Sequence, residues 1–159
     1  MGESHPCGER RGNSSRFQQS PGSGAQPNEE KEQSRLKVLL DTSVLVDLLR
    51  GRRDRLKTIR DLLLAGHDFS ISAINMAEIY AGMRPEEEKQ TQNLLSSFEC
   101  FPVTPEIARR GGLMRSEWAR KGITLHLADT LVAATAMHHR LVLLTDNNKD
   151  FPMPEVRLL

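Results

Sequence analysis

A small set of carboxylates sits where carboxylates are uncomfortable. Asp41 ends the run Val38-Leu39-Leu40, Glu78 stands in Met76-Ala77-Glu78-Ile79, Asp129 in Leu127-Ala128-Asp129-Thr130, and Asp146 and Asp150 follow Leu143-Leu144-Thr145. An acid pressed against apolar neighbours needs a partner, because burying an unpaired charge is very costly. Several such acids brought together would raise one another's pKa and repel, and a shared divalent cation reverses that. Hard oxygen ligands without a Cys or His cluster favour Mg²⁺ or Mn²⁺ over Zn²⁺. Mg²⁺ takes one or two protein carboxylates plus waters and phosphate oxygens, which points toward phosphoryl transfer or phosphodiester hydrolysis.

The elements that must position these acids follow from the apolar pattern. Leu36 to Leu40 suits a buried strand, and Thr42 or Ser43 offers an N-cap for a helix through Val44 to Leu49, stopped by Gly51. Leu56, Ile59, Leu62, Leu63 and Leu64 recur at helical spacing up to Gly66, and Phe69 to Ser72 alternates as a second strand. A helix is predicted over Ile74 to Gly82, with Ile74, Ala77 and Ala81 on one stripe, and another over Glu86 to Phe98. Cys100 to Val103 reads as a brief third strand, Pro105 opens a helix running to Lys121-Gly122, and the Ala-rich Leu127 to His139 reads as a buried helix. Leu141 to Leu144 is a fourth strand and Val156 to Leu159 a short fifth.

Short apolar strands alternating with helices predict an α/β fold: a parallel sheet of four or five strands with helices on both faces. In open parallel sheets ligands bind at the carboxyl edge of the strands. Asp41 lies there directly, Asp146 and Asp150 lie just beyond the fourth strand, and Glu78 and Asp129 can point inward from helices bordering that edge.

With 159 residues, one domain plus an appendage is the expectation. Residues 1–34 are dominated by Gly, Ser, Pro, Gln, Asn and charge, with little beyond Phe17 to bury, so they read as a disordered N-terminal tail, and 35–159 as the folded domain. Lys and Arg number 22 against 21 Asp and Glu, so net charge gives no global pull toward nucleic acid, and any such site must be a local patch. Candidate contacts are Arg52, Arg53, Arg55, Arg84, Arg109, Arg110, Arg115 and Arg120. Cys7 and Cys100 lie far apart and outside any Cys-x-x-Cys pair, which fits reduced thiols. No apolar run approaches the roughly 18 residues that span a bilayer, and no secretory apolar stretch opens the chain. A cytoplasmic protein with no membrane contact is expected.

Each acid also has a plainer reading. Asp41 can be a strand-end helix cap, Glu78 a solvated helix position, and Asp146 and Asp150 turn formers. His126, His138 and His139 lack a paired ligand pattern, and His138-His139 suits a helix C-terminus, so they read as structural. Trp118 reads as core or interface. Receiver domains and phosphatases also gather acids after a first strand, so the cluster narrows the chemistry without naming it.

The local wording is more specific. Leu39-Leu40-Asp41-Thr42-Ser43-Val44-Leu45-Val46 and Ser72-Ala73-Ile74-Asn75-Met76-Ala77-Glu78-Ile79-Tyr80-Ala81-Gly82 resemble the first two motifs of PIN-domain proteins of the VapC toxin group. Leu127-Ala128-Asp129-Thr130-Leu131-Val132-Ala133-Ala134-Thr135-Ala136 and Leu143-Leu144-Thr145-Asp146-Asn147-Asn148-Lys149-Asp150-Phe151 are similar to the third and fourth, so the resemblance spans about residue 36 onward. It implies that Asp41, Glu78 and Asp129 are metal-binding acids, with Asp150 as the fourth and Asp146 as its substitute. It further implies a Mg²⁺-dependent endoribonuclease, with Mn²⁺ as a possible ion, held inactive by a cognate antitoxin and assembled as a homodimer or larger. Thr145, and Thr42 or Ser43, would orient the acids. The competing readings are a non-catalytic PIN-like module that grips RNA or antitoxin, and a receiver-like phosphoacceptor modified at Asp41. The receiver reading finds Lys149 but lacks the acid pair at the first strand.

Overall fold

The computed structural model describes residues 35–159, so the expected tail over 1–34 lies outside the described residues. The strands are β1 (Lys37–Leu40), β2 (Asp68–Ser72), β3 (Glu99–Phe101) and β4 (Val142–Leu144). They form one sheet in the order β3-β2-β1-β4, with every pairing parallel. The helices are α1 (Thr42–Leu49), α2 (Arg53–Leu64), α3 (Ala73–Gly82), α4 (Glu88–Leu95), α5 (Pro105–Arg120) and α6 (Leu127–His139).

Side chains of a strand alternate between faces, and β1 divides the core accordingly. Val38 and Leu40 pack on one face with Val44, Leu45, Ile59, Ile71, Ile79 and Leu95 from α1 to α4 and β2. Leu39 packs on the other with Met114, Val132, Ala133, Ala136, Leu143 and Phe151 from α5, α6, β4 and the last segment. Both faces being buried explains the uninterrupted apolar runs of β1 and β4. The chain leaves β1 toward β2 and β3 on one side, then returns to place β4 on the other. The order therefore reverses beside β1, and a crevice at the carboxyl ends of β1 and β4 follows.

Departures from the sequence pattern have local causes. β3 stops at Phe101 because Pro102 has no N–H for the ladder. The expected helix over 86–98 divides into a 3₁₀ turn over Pro85–Glu87 and α4, whose end is marked by the Ser97 hydroxyl donating to the Leu94 carbonyl at 2.6 Å. The expected fifth strand is a single parallel bridge between Leu143 and Leu158, since Pro152 and Pro154 interrupt the donors before it. The stripe expected on α3 is also wrong: Ala77 and Ala81 are exposed, while Asn75 and Ile79 are the buried pair. On α2 only Ile59 is fully buried, and Leu56, Leu63 and Leu64 face outward.

α5 and α6 cross closely at Gly111, where a Cβ would stand 2.9 Å from Leu131 Cδ2 and 3.1 Å from the Thr130 carbonyl oxygen. Backbone on one side leaves little room to yield. Gly111→Ala is therefore expected to lower stability by about 1 kcal/mol net, the gain of about 1 kcal/mol in helix propensity offsetting part of an overpacking cost of about 1–3 kcal/mol. Urea unfolding checks this; a midpoint shifted upward would mean the helices separate without strain.

Candidate metal centre at the carboxyl edge

Asp41 follows β1 and occupies the N-cap position of α1, so the helix is entered one residue earlier than Thr42 or Ser43 capping would place it. Its side chain makes no capping bond. Instead Oδ2 accepts from the Ser43 hydroxyl at 2.9 Å and the Thr145 hydroxyl at 2.8 Å. The residue is only 6% exposed, and its N–H donates to the Leu144 carbonyl, extending the β1–β4 pairing to the acid itself. Thr145 in turn accepts from the Asn147 N–H, which ties the loop after β4 to the acid after β1.

Glu78 lies on α3 with its side chain toward solvent, and its Oε2 accepts from the Thr42 hydroxyl at 2.5 Å. Asp129 lies in the first turn of α6, half-buried. Burial, then the neighbouring Asp150 and Asp41 carboxylates, and finally Glu78, push its carboxyl up to about 6, with His126 acting in the opposite direction. Asp150, Asp41 and Glu78 thus lie near enough to Asp129 for their charges to raise its carboxyl pKa. None of the four forms an ion pair with a basic side chain among the described residues.

Asp146 is turned elsewhere. Its carboxylate takes the guanidinium of Arg55, which reaches from α2 and also faces Asp47 of α1 at 3.8 Å. Arg52 pairs with the same Asp47 at 3.0 Å, and Arg115 donates to the Leu125 carbonyl at 3.1 Å, so three of the candidate RNA contacts hold the fold. Arg84, with Arg50, lines a groove between α1, α3 and α4 that has Glu78 in its wall. Arg109 and Arg110 line a second groove on α5, away from these acids.

His126 is the N-cap of α6, and His139 stacks on Phe101 with ring centroids 4.1 Å apart, its burial lowering the imidazole pKa. Trp118 packs against the core with the Lys121 ammonium over its ring. Sequence reasoning missed Asn75 and the partnership of Arg55 with Asp146. The spacing of Ser72 and Asn75, a capping pattern, was the available signal for the first.

Among the described residues no three Asp, Glu, His or Cys side chains are already gathered as a ready ligand set. The donor set still fits a hard divalent ion: all oxygen, uncompensated in charge, with Asp129 strained upward by its neighbours. Mg²⁺ characteristically takes only one or two protein carboxylates directly and keeps waters for the rest.

The model of the PIN domain matches residues 38–155. Ribonuclease VapC10 of Mycobacterium tuberculosis is 38% identical over 121 residues, covering 74% of this chain and 88% of that protein, and ribonuclease VapC19 of the same organism is 32% identical over 115 residues, covering 72% and 92%. A solved toxin-antitoxin complex from Klebsiella pneumoniae includes a chain 34% identical with a TM-score of 0.64, the match covering 76% of this chain and 95% of that one. The matched stretch runs from β1 through the Asp150 turn and includes Asp41, Glu78, Asp129 and Asp150, and on it the chain belongs to the PIN domain family.

Proposed function

We propose that this chain is a divalent-metal-dependent endoribonuclease, the toxin of a VapBC-type pair, which hydrolyses RNA phosphodiester bonds with Mg²⁺ or Mn²⁺ as its ion. The observation that carries the reading is the raised carboxyl of Asp129, pushed up by burial and by the charges of Asp150, Asp41 and Glu78, with Asp41 at the carboxyl end of β1. Asp41 and Asp129 would hold the ion directly, and Glu78 and Asp150 through water. Bound there, the ion supplies neutralisation of the crowded carboxylates and of charge developing on the phosphate and its leaving oxygen.

The protein's own residues do the positioning. Ser43 and Thr145 both donate to Oδ2 of Asp41, which fixes the carboxylate without occupying Oδ1. Thr42 does the same for one oxygen of Glu78. One of these carboxylates accepts the proton of the attacking water, so no covalent enzyme intermediate arises. The groove beside Glu78, with Arg50 and Arg84, supports an RNA backbone leading into the crevice.

The partner we propose is a cognate antitoxin, with assembly as a homodimer or larger, because the 34% identical relative from Klebsiella pneumoniae was solved as part of a toxin-antitoxin complex. No helix among the described residues is long and apolar enough to cross a membrane. A cytoplasmic location, where RNA and antitoxin are met, is part of the same proposal, as is a tail over 1–34 that activity does not need. Family membership removes the receiver-like alternative.

The test is metal removal. The purified protein is expected to cut structured RNA in Mg²⁺, to stop in EDTA, and to resume when Mg²⁺ is restored. Cleavage that persists in EDTA overturns the mechanism, and metal-dependent thermal stabilisation without any cleavage would favour the binding-only module.

A further inference from the structure

We infer that Asn75 is a positioning residue for Glu78 and acts through Thr42, an inference that rests on the metal-site reading above. Asn75 is completely buried in the first turn of α3. Its Oδ1 receives two donors, the Ser72 N–H at 3.0 Å and the Ser72 hydroxyl at 2.6 Å. An amide nitrogen cannot accept these, so the orientation of the side chain is settled, and Nδ2 must face the other way. There it donates to the Thr42 hydroxyl oxygen at 3.0 Å.

A hydroxyl has one proton and two acceptor sites. With Asn75 filling one acceptor site, the Thr42 proton is sent to the remaining partner, Oε2 of Glu78 at 2.5 Å. The chain runs in one direction, from the Ser72 cap through Asn75 and Thr42 to a carboxylate. It also links three separate elements: the end of β2, the first turn of α1 and the second turn of α3. Glu78 is otherwise a solvent-facing acid on a helix, free to take many rotamers. The chain holds it by Oε2 against Thr42 and leaves Oε1 outside the relay. Nothing in the capping role of Asn75 requires Nδ2 to meet Thr42, since the cap uses only Oδ1 and the backbone N–H.

The test reads Mn²⁺ affinity by paramagnetic resonance, alongside RNA cleavage. Thr42→Val keeps the shape and removes the relay; it is expected to weaken Mn²⁺ binding and cleavage by about 10–100-fold, and to lower the unfolding midpoint of metal-free protein, since the buried Asn75 Nδ2 loses its acceptor. Thr42→Ser is expected to restore both. Asn75→Ala also loses the cap and some stability, so it is read in pairs: added to Thr42→Val it should weaken Mn²⁺ binding no further. In a Glu78→Gln background, Thr42→Val should likewise have no effect. Wild-type affinity in Thr42→Val, or an equal loss with and without Glu78, overturns the inference. A wild-type protein that binds no Mn²⁺ overturns the metal-site reading with it, whereas Mn²⁺ affinity reports on Asn75 and Thr42 whether or not RNA is cut.

Discussion

Asp129→Asn is expected to lower RNA cleavage by about 10²–10³-fold while raising the melting temperature of the metal-free protein. The two effects share one cause. The Asp129 carboxyl titrates at about 6 in the folded protein because of burial and the Asp150 and Asp41 carboxylates, whereas in the unfolded chain it returns to roughly 3.9. The folded state therefore binds this proton more tightly. Its contribution to stability is fully present below the unfolded pKa and is lost as pH rises through about 6, so at pH 7 the ionised Asp129 destabilises the fold. Two pH units would correspond to about 2.7 kcal/mol, but a half-buried acid is screened by solvent, and roughly 1 kcal/mol is the expected penalty. Asparagine removes it, and the melting temperature should rise by about 3 °C for a domain of this size.

A divalent ion inverts the ranking. Wild type gains stability from whatever binds the folded form alone, while Asp129→Asn, missing a ligand oxygen and its charge, gains little. Thermal melts with EDTA and with Mg²⁺ read the crossover, and cleavage assays read the loss of several kcal/mol of charge stabilisation at the phosphate. A variant less stable than wild type in EDTA would show that Asp129 is a structural acid. A variant that cleaves normally would remove it from the site.

The alternation of strands and helices was legible because each strand is a short apolar run bounded by turn residues, and because β1 and β4, buried on both faces, show no polar alternation. Asp41 was legible for the same reason: an acid directly after such a run has nowhere to go except the carboxyl edge. Lengths at the margins were not, since Pro102 shortens β3 and the serines after α4 close it early through hydrogen bonds that periodicity does not record. Asn75 was illegible as a functional residue because Asn at that point reads as an ordinary helix-start residue. Its second role depends on Thr42, 33 positions earlier. Ser43 and Thr145 were guessed from adjacency to acids, yet their convergence on the same oxygen of Asp41 depends on the β1–β4 pairing, which only the fold supplies.

The choice between Asp146 and Asp150 turns on a partner 91 residues away in sequence. Arg55 has only 13% of its side chain exposed, and it faces Asp146 and Asp47 together, so Asp146 ties the loop after β4 to α1 and α2. Asp150, in the 3₁₀ turn that follows, is the acid whose charge Asp129 feels most strongly. Asp150→Asn is therefore expected to weaken cleavage by about 10²-fold, near the upper end for an acid that acts on the ion through water. Asp146→Asn should leave Mn²⁺ affinity near wild type and lower stability by less than about 1 kcal/mol, since its half of the pair is solvent-exposed. Its effect on cleavage should then follow the loop: small at low temperature, growing as the tether to Arg55 matters more. The opposite ranking, with Mn²⁺ affinity lost in Asp146→Asn and kept in Asp150→Asn, would move the fourth acid to Asp146 and require Arg55 to release it when the ion binds.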